Sequence, residues 1–395
     1  MSEKYFIEVD HFQEQKHTQQ VCGDVFLSQK SDGGDRVITV LADGLGSGIK
    51  ASVLATLTTS MAIRYVAENL DITHAARTIM ETLPVCSERE IAYSTFTIVD
   101  MDRHGETRII EFDNPPFVLL RGSQVVPVEA ETLVLSLASS GREAKLRRSS
   151  FTAQPGDRIV VFSDGVSQAG VGQKITPLGW GSRAAQEFLC GAVRDRPTLS
   201  ARHLARTLAQ RALALDGLKA KDDITCGVIY LRKPREVMVF TGPPVDRQKD
   251  QELAAMALTF TGRKVICGGT TAMIFSRQLD RPVAMDLREL DPEIPPISAI
   301  EGFDLVTEGA ITLAKLVHLL EEEEHPEFLK PNAVTLLAGV LLDSDIIHIV
   351  AGTKINEALQ DPSLPQDLDI RRNILRGLKR VLTDKFLKEV RLQYV

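Results

Sequence analysis

The sequence has no long hydrophobic run, and this argues against a membrane-spanning helix. None of its apolar stretches approaches the ~20 residues that are needed to cross a bilayer. The first residues, Met-Ser-Glu-Lys-Tyr-Phe-Ile-Glu, lack the extended apolar core of a secretion signal. We therefore expect a cytoplasmic protein that does not act at a membrane.

Cysteine and net positive charge are also scarce. The five cysteines are scattered, at positions 22, 86, 190, 226 and 267, and no Cys-x-x-Cys pair or histidine cluster accompanies them. Neither a zinc site nor a disulfide framework is indicated. The 46 Lys and Arg residues are outnumbered by 53 Asp and Glu residues, and this net charge of −7 argues against a general role in nucleic-acid binding.

The most informative stretch of the chain is 37–54. An apolar, β-branched segment, Val-Ile-Thr-Val-Leu-Ala, predicts a buried strand that ends at Asp43. Gly44, Gly46 and Gly48 follow, and a segment rich in Ala, Leu and Thr then predicts a helix. Glycines let the chain turn tightly around whatever Asp43 holds and offer it carbonyl oxygens, which suit a hard cation. The spacing fits neither a dinucleotide-binding loop nor a phosphate-binding loop.

Asp43 belongs to one of four Asp-Gly pairs, and two of these pairs differ from ordinary turns. The pairs at Asp32 and Asp216 lie in a polar run and after a helical run, so we interpret both as turns. Asp43 and Asp164 instead each end a strand-like apolar run, and the residues that follow do not form a returning strand.

The order of the predicted elements is typical of an α+β fold. Strands come in blocks and helices in pairs, which indicates packed antiparallel sheets flanked by helices and not alternating βα units. The predicted strands are 4–9, 20–27, 37–42, 91–99, 107–112, 117–120, 124–127, 132–135, 148–152, 158–162 and 224–231, and the predicted helices are 50–69, 73–83, 178–189 and 200–214.

Acidic residues mark the ends of four of these strands, near positions 24, 43, 164 and 222. If the strand ends meet at one edge, the carboxylates there repel one another unless cations neutralise them. Clustered acids at strand ends therefore predict a metal site.

Four motifs follow one another in residues 1–232: Gly23-Asp24, Ala42-Asp43-Gly44-x-Gly46-x-Gly48, Phe162-Ser163-Asp164-Gly165-Val166 and Asp222-Asp223-Ile224-Thr225. In this order and at these separations they resemble the metal-dependent protein phosphatases of the type 2C superfamily (PPM). The most similar branch is the bacterial one typified by stage II sporulation protein E (SpoIIE) and its stress-response relatives. The resemblance implies an α-β-β-α sandwich with two Mn²⁺ or Mg²⁺ ions at one end.

The resemblance also implies which residues are catalytic and how they act. Asp43 would bridge both ions, and the Gly44 carbonyl would bind one of them. Asp164 and Asp222 would hold the other ion, and Asp24 would act through coordinated water. Oxygen ligands of this kind suit Mg²⁺ and Mn²⁺. A water between two such ions has a lowered pKa and can attack phosphorus directly.

Three positions depart from the pattern of many type 2C enzymes. Asp223 takes a place where many members have Asn, so the resemblance implies a water-mediated or indirect role in metal binding for it. Leu45 stands where many eukaryotic members have a histidine that is assigned as general acid. No N-terminal arginine matches the phosphate-binding arginine of the eukaryotic enzymes, so we expect weak affinity for isolated phosphate.

The implied activity is hydrolysis of phosphoserine or phosphothreonine in a partner protein, in bacterial signalling. The resemblance points to a substrate of the anti-sigma-factor-antagonist type, and the sequence is compatible with a homodimer. Two other classes of function remain open at this point. One is a phosphatase-fold binding or sensor module with little turnover, and the other is a hydrolase of a small phosphoester or nucleotide.

Residues 233–395 predict a smaller α/β domain that regulates activity or binds a partner. Strands and helices alternate there, after a short basic segment that contains proline. Gly268-Gly269-Thr270-Thr271 and Gly352-Thr353-Lys354 follow predicted strands and would suit anion binding at helix N-termini, but we interpret them as ordinary capped turns. The final stretch, 371–390, has apolar residues at helical spacing.

Overall fold

The chain forms two compact units, Met1–Lys233 and Pro234–Val395. The computed structural model describes residues 5–31, 34–46, 48–82, 94–137, 142–174, 176–286, 294, 296–323, 325–326, 329–354 and 367–395. Among the helices of those ranges, none combines the length and the apolar character that a membrane span requires.

The first unit contains two antiparallel sheets. One sheet has the spatial order β1 (Phe6–Glu14), β11 (Ile224–Arg232), β10 (Asp157–Phe162), β6 (Val118–Arg121) and β7 (Gln124–Val125). The other has the order β2 (Asp24–Lys30), β3 (Arg36–Gly44), β4 (Ser94–Asp102), β5 (Glu106–Phe112), β9 (Arg142–Thr152) and β8 (Glu131–Leu137).

Helices cover the outer face of each sheet. The helices of this unit are α1 (Ile49–Ala67), α2 (Ile72–Thr82), the single turn α3 (Asp164–Ser167), α4 (Ser182–Asp195) and α5 (Ala201–Leu215). Because successive strand residues point to opposite faces, Val37 and Leu41 of β3 enter the core between the sheets. Val40 and Ala42 instead contact the core formed with α1 and α2. The sheet that contains β6, β10 and β11 packs in the same way on α4 and α5, and the predicted α-β-β-α sandwich is confirmed.

One predicted helix of this unit begins too early. The apolar spacing predicts a helix over 178–189, whereas α4 begins at Ser182 and continues to Asp195. The reason is that Gly179 and Gly181 have φ of 90° and 79°, in the left-handed region that a right-handed helix cannot include. Gly181 is the residue at which the chain enters the helix.

Four predictions fall wholly or partly on residues that the structure does not describe. Residue 4 of the predicted strand 4–9, residues 91–93 of the predicted strand 91–99, the last residue of the predicted helix 73–83, and the Asp32-Gly33 turn all lie outside the described ranges. The rest of the predicted strand 91–99 is β4, which begins at Ser94.

Glu111 on β5 is a buried acid whose titration is expected to change stability. It is 2% exposed, and burial raises the pKa of its carboxyl to about 7. One oxygen accepts a 2.6 Å hydrogen bond from Phe117 N–H. The other lies 3.7 Å from an Arg147 guanidinium nitrogen and accepts no hydrogen bond from the described residues. The folded protein therefore binds this proton more tightly than the unfolded chain does.

We expect the free energy of unfolding to fall as the pH rises from about 4.5 to about 7, because a raised pKa stabilises the fold only while the carboxyl is protonated. Between pH 5 and pH 8 this group contributes a loss of roughly 2–3 kcal/mol. Glu111→Gln removes the titrating group. Urea denaturation at both pH values should show a smaller loss in the variant, and equal losses in the two proteins would contradict the assignment.

The second unit is a separate α/β layer structure. Its sheet has the order β14 (Ala284–Asp286), β15 (Ile297–Ala299), β16 (Leu305–Thr307), β13 (Arg263–Cys267), β12 (Glu236–Thr241), β17 (Ile346–Ala351) and β18 (Glu389–Tyr394). The last five strands are parallel. The helices are α6 (Lys249–Thr259), α7 (Gly269–Leu279), α8 (Ala310–Glu322), α9 (Ala333–Leu342) and α10 (Asp367–Asp384).

The parallel strands follow a doubly wound order. If the five strands are numbered by their order along the chain, their order across the sheet is 3-2-1-4-5. The direction of the chain across the sheet reverses between β12 and β17. α6 and α7 contribute to the hydrophobic core on one face of the sheet, and α8, α9 and α10 contribute to the core on the other. The predicted alternation of strands and helices is confirmed.

The end of the chain differs from the prediction. The apolar residues of 371–390 have helical spacing, but α10 ends at Asp384 and β18 begins at Glu389. Leu387 between them has φ of 55°, which breaks the helix. β18 then pairs with β17 along its whole length, so the backbone hydrogen bonds of the sheet replace those of the helix.

Candidate functional site

Strand polarity brings the predicted acids to strand ends that lie side by side. Asp24 begins β2 and lies directly opposite Asp43, near the end of β3. Asp164 follows the end of β10, and Asp222 precedes β11, its antiparallel partner. Because neighbouring strands run in opposite directions, the start of one lies beside the end of the next. Asp24 therefore lies beside Asp43, and Asp164 lies beside Asp222, although the members of each pair are far apart in sequence.

Asp223 connects the two sheets at this point. It is 5% exposed. One carboxylate oxygen accepts the Gly23 N–H at 3.0 Å, and the other accepts the Lys16 N–H at 2.9 Å. Both oxygens are thus used by backbone donors. Asp223 thereby positions the segment that leads into Asp24.

Two glycines are required by close backbone contacts beside the acids. A Cβ atom at Gly44 would lie 2.1 Å from the Ala51 carbonyl oxygen of α1, and a Cβ at Gly165 would lie 2.1 Å from the Asp223 carbonyl oxygen. Any side chain at either position would push the acid-bearing segment away from its neighbour. The glycines that follow Asp43 and Asp164 therefore allow the close packing that holds these acids in place.

Burial and neighbouring charges raise the pKa of Asp24, Asp43 and Asp164. Burial, and next the charge of Asp43, raises the pKa of Asp24 well above its usual range. Burial, followed by the charges of Asp164 and Asp222, raises the pKa of Asp43 to about 7. Burial and then the charge of Asp222 also raise the pKa of Asp164. The four carboxyl groups are therefore close enough to repel one another when ionised.

The donor chemistry of this acidic site fits a divalent cation. Asp24 is 3% exposed, and its Oδ2 has no hydrogen-bond partner among the described residues. The Asp43 carboxyl lies on the strand position opposite Asp24 and feels the charge of Asp164, so a cation between these groups would offset their repulsion. Oxygen ligands suit Mg²⁺ and Mn²⁺.

The side chains do not form a completed metal-binding cluster. In the part of the chain that is described, no group of three or more His, Cys, Asp or Glu side chains is arranged to hold a metal ion. Strand pairing thus brings Asp24, Asp43, Asp164 and Asp222 near one another, without closing their side chains around a common point. Gly44 lies beside them, at the end of β3.

Lys16 is a residue of the site that the sequence motifs did not reveal. Its Nζ lies 3.5 Å from an Asp222 carboxylate oxygen, and its charge lowers the pKa of Asp164. Lys16 precedes Asp24 in a polar segment with no periodic pattern, so no local signal marks it. Its place is set by the hydrogen bond from its N–H to Asp223, more than 200 residues away in sequence.

Comparison with known proteins identifies one family and several structures with a similar fold. Residues 33–232 match the family model described as Stage II sporulation protein E (SpoIIE). Asp24 lies just before the matched range, and the other predicted acids lie within it. No curated protein sequence matches the chain.

Solved structures of several bacterial proteins are similar to more than half of the chain. The PP2C phosphatase domain of Bacillus subtilis SpoIIE, solved with a fragment of its regulatory domain, is 19% identical with a TM-score of 0.47. That match covers 58% of this chain and 64% of that one, which is less than two thirds of its length. The RsbU and RsbW domains of Rv1364c from Mycobacterium tuberculosis are 17% identical, with a TM-score of 0.45 and coverage of 65% and 68%. The SiaA PP2C domain of Pseudomonas aeruginosa is 19% identical, with a TM-score of 0.41 and coverage of 56% and 85%.

Proposed function

Because the chain belongs to the stage II sporulation protein E (SpoIIE) family, we propose that it is a metal-dependent serine/threonine protein phosphatase of bacterial signalling. The proposed phosphatase domain is 1–232. The proposed role of the domain at 233–395 is to regulate this activity or to select the partner. The substrate class is a phosphorylated protein, of the anti-sigma-factor-antagonist type.

The convergence of four carboxyl groups from four strand ends carries this proposal. Buried acids that raise one another's pKa destabilise a fold unless something neutralises them. Asp24 in particular has a buried oxygen without a partner in the described structure. A surface that only recognises a partner has no need for such a cluster, whereas metal-assisted hydrolysis requires one.

The roles we propose for individual residues follow from their positions. Asp43 lies at the centre, with Asp24 opposite it on β2 and the charges of Asp164 and Asp222 beside it. Asp43 and the Gly44 carbonyl would hold one Mn²⁺ or Mg²⁺ ion, with Asp24 acting through coordinated water, and Asp164 and Asp222 would hold the other. When bound, such ions lower the pKa of water and offset negative charge on phosphoryl oxygens.

Two further residues would support the site without touching the ions directly. Asp223 would keep Gly23 and Asp24 in position through its two backbone hydrogen bonds. Lys16 would attract the phosphoryl group of the substrate, because its ammonium group lies next to Asp222 at the same edge of the sandwich. It would thus supply the positive charge that other type 2C enzymes obtain from arginine.

The test is hydrolysis of p-nitrophenyl phosphate and of a phosphoserine protein, with Mn²⁺ and with a chelator. We expect turnover that requires Mn²⁺ and that is lost in Asp164→Asn.

Lys16→Gln should raise KM more than it lowers kcat, because the substitution weakens the attraction between the enzyme and the phosphate group of the substrate. Ending the chain after residue 233 should change the rate if the second unit is a regulator.

Each alternative function predicts a different result in these assays. Two bound ions by calorimetry without turnover in any form would favour a binding or sensor module. Faster hydrolysis of nucleotides than of phosphoproteins would favour a small-phosphoester hydrolase. No binding of Mn²⁺ or Mg²⁺ at all would refute the phosphatase assignment.

A further inference from the structure

Two helices of the second unit begin next to each other at the carboxyl edge of its sheet. Cys267 ends β13 and pairs with Thr307, which ends β16. Gly268 is then the N-cap of α7, and Gly309 is the N-cap of α8. A Cβ atom at Gly309 would lie only 3.3 Å from the Gly268 Cα. The N-termini of α7 and α8 are therefore adjacent.

Neither N-terminus is capped by its own side chains. No side chain accepts a hydrogen bond at either cap, and the first turns of α7 and α8 contain no acidic residue. The first N–H groups of a helix lack intrahelical partners and carry partial positive charge, which favours an anion. By contrast, Asn332 caps α9 with its side chain.

Two buried threonines provide an independent sign of a ligand. Thr271 and Thr312 each lie three residues after the N-cap glycine and are 1% and 0% exposed. Their hydroxyl groups have no hydrogen-bond partner in the described structure. A buried hydroxyl normally finds one, as Thr58 of α1 does by donating to the Leu54 carbonyl at 2.8 Å. The two hydroxyls of α7 and α8 are thus hydrogen-bonding groups that no described residue uses.

The Thr271 hydroxyl faces the gap between the two helix starts. A Cβ at Gly268 would meet the Thr271 Oγ1 at 3.4 Å and the Gly309 Cα at 3.9 Å. Gly268 has φ of 136°, a conformation that residues with side chains avoid. The space beside Gly268 is therefore kept free of a side chain and is bordered by a free hydroxyl.

Glu308 adds one acceptor to this set of donors. It precedes Gly309, and its Oε2 is buried without a hydrogen-bond partner among the described residues. A carboxylate here repels a bare anion but accepts a hydrogen bond from a hydroxyl group. The edge thus combines helix N-termini for an anionic group with an acid for a hydroxyl group.

We propose that the carboxyl edge of β13 and β16 binds a small molecule that carries both a phosphate group and free hydroxyl groups, such as a sugar phosphate or nucleotide. The phosphate would accept hydrogen bonds from the first turns of α7 and α8 and from the hydroxyls of Thr271 and Thr312. A ligand hydroxyl would donate to Glu308. This site lies outside the acidic cluster of the first unit and does not depend on its activity.

The other carboxyl-edge position in this sheet, where the strand order reverses, is occupied by the chain itself. Ligands of doubly wound sheets commonly bind between the two strands at such a point. Here Arg371 donates to the Gly352 carbonyl at 3.2 Å, and Lys354 N–H donates to the Pro243 carbonyl at 3.1 Å. The first bond connects α10 to the loop after β17, and the second connects the loops after β12 and β17.

The test is calorimetric titration of the full chain carrying Asp164→Asn, in chelator, with ribose 5-phosphate, AMP, inorganic phosphate and ribose as probes. This background removes hydrolysis and metal-bound phosphate at the first unit. We expect ribose 5-phosphate or AMP to bind at least tenfold more tightly than inorganic phosphate, and ribose alone to show no binding. No binding of either phosphorylated probe would overturn the proposal.

Isosteric variants separate binding from folding. Thr271→Val and Thr312→Val should each weaken binding of the phosphorylated probes at least tenfold, and Glu308→Gln should reduce their preference over inorganic phosphate. Thr259→Val is the matched control, because the Thr259 hydroxyl donates within α6 at that helix's C-terminal end. The affinity of this variant for the phosphorylated probes should not change.

The unliganded Thr271→Val and Thr312→Val proteins should melt no lower than the parent, since the hydroxyls have no partner to lose. Lower melting, or unchanged affinity in all three site variants, would show that these residues are structural only.

Discussion

Replacing Asp43 with asparagine is expected to lower metal-dependent phosphatase activity by about 10²–10³-fold or more, the scale on which single groups that stabilise a transition state act. Asp43 lies at the centre of the acidic cluster, opposite Asp24 and within reach of the charges of Asp164 and Asp222. Asparagine has nearly the same size but no charge. The loss would therefore report on the carboxylate and not on packing.

The same variant should be more stable than the wild type when no metal is present. The Asp43 pKa is raised to about 7 by burial and by its acidic neighbours, so at pH 8 its ionised form destabilises the fold. Thermal melting at pH 8 in chelator should therefore show a higher midpoint for Asp43→Asn, and Mn²⁺ should raise the midpoint of the wild type more than that of the variant.

Asp35→Asn is the matched control for both measurements. Asp35 is exposed, and its carboxylate forms an ion pair with Arg103, which is also exposed, so its loss should change neither activity nor the response to Mn²⁺. If Asp43→Asn kept more than a tenth of the wild-type kcat/KM, this carboxylate would not be a metal ligand of the reaction.

The largest loss of stability is expected from breaking the ion pair between Glu8 of β1 and Arg232 of β11. The two side chains are 5% and 7% exposed, and Arg232 Nε donates to Glu8 Oε2 at 2.6 Å. The other oxygen of Glu8 accepts the N–H of Ala201, the first residue of α5. Glu8→Ala would leave a buried guanidinium without its carboxylate and a helix start without its acceptor. We expect a loss of about 3–5 kcal/mol in the free energy of unfolding.

A double variant distinguishes the contribution of the ion pair from that of the packing around it. Glu8→Leu with Arg232→Met replaces both charges with apolar groups of similar length, and such replacements of buried pairs are often neutral or stabilising. We expect the double variant to recover most of the stability that Glu8→Ala loses in urea denaturation. If the double variant is as unstable as the single one, packing or the bond to Ala201 dominates, and the ion pair contributes little.

The sequence was sufficient to predict those parts of the site that depend on neighbours in the chain. The alternating residues of β3 place Leu41 and Ala42 on opposite faces of the strand, and a strand reading Val-Ile-Thr-Val-Leu-Ala has few other ways to bury itself. Gly44 follows the acid at the end of β3 because the next helix, α1, passes close to it, whereas Gly165 is required by the distant Asp223 carbonyl. Ordered motifs of this kind were enough to indicate the family, which the match over residues 33–232 confirms.

The local sequence pattern predicted the wrong element boundaries in two segments, 371–390 and 178–189. The stretch 371–390 has apolar residues at helical spacing, but its last two residues, Glu389 and Val390, begin the alternating segment Glu-Val-Arg-Leu-Gln-Tyr that forms β18. The pairing of β18 with β17 decided the outcome for its last residues. At 178–189 the apolar spacing was present, but the backbone conformations of Gly179 and Gly181 delayed the helix.

By itself, the sequence determined the strands, most of the helices, the acids at strand ends and the glycines beside them, because periodicity and turn chemistry depend on adjacent residues. Only the tertiary structure decided which charges meet. Lys16 reaches Asp222, and Glu8 reaches Arg232, across more than 200 residues. The buried hydroxyls of Thr271 and Thr312 come to one edge through the pairing of β13 with β16. Burial, charge and unused hydrogen-bonding groups depend on strand pairing between distant segments, and this information is not contained in any local stretch of the chain.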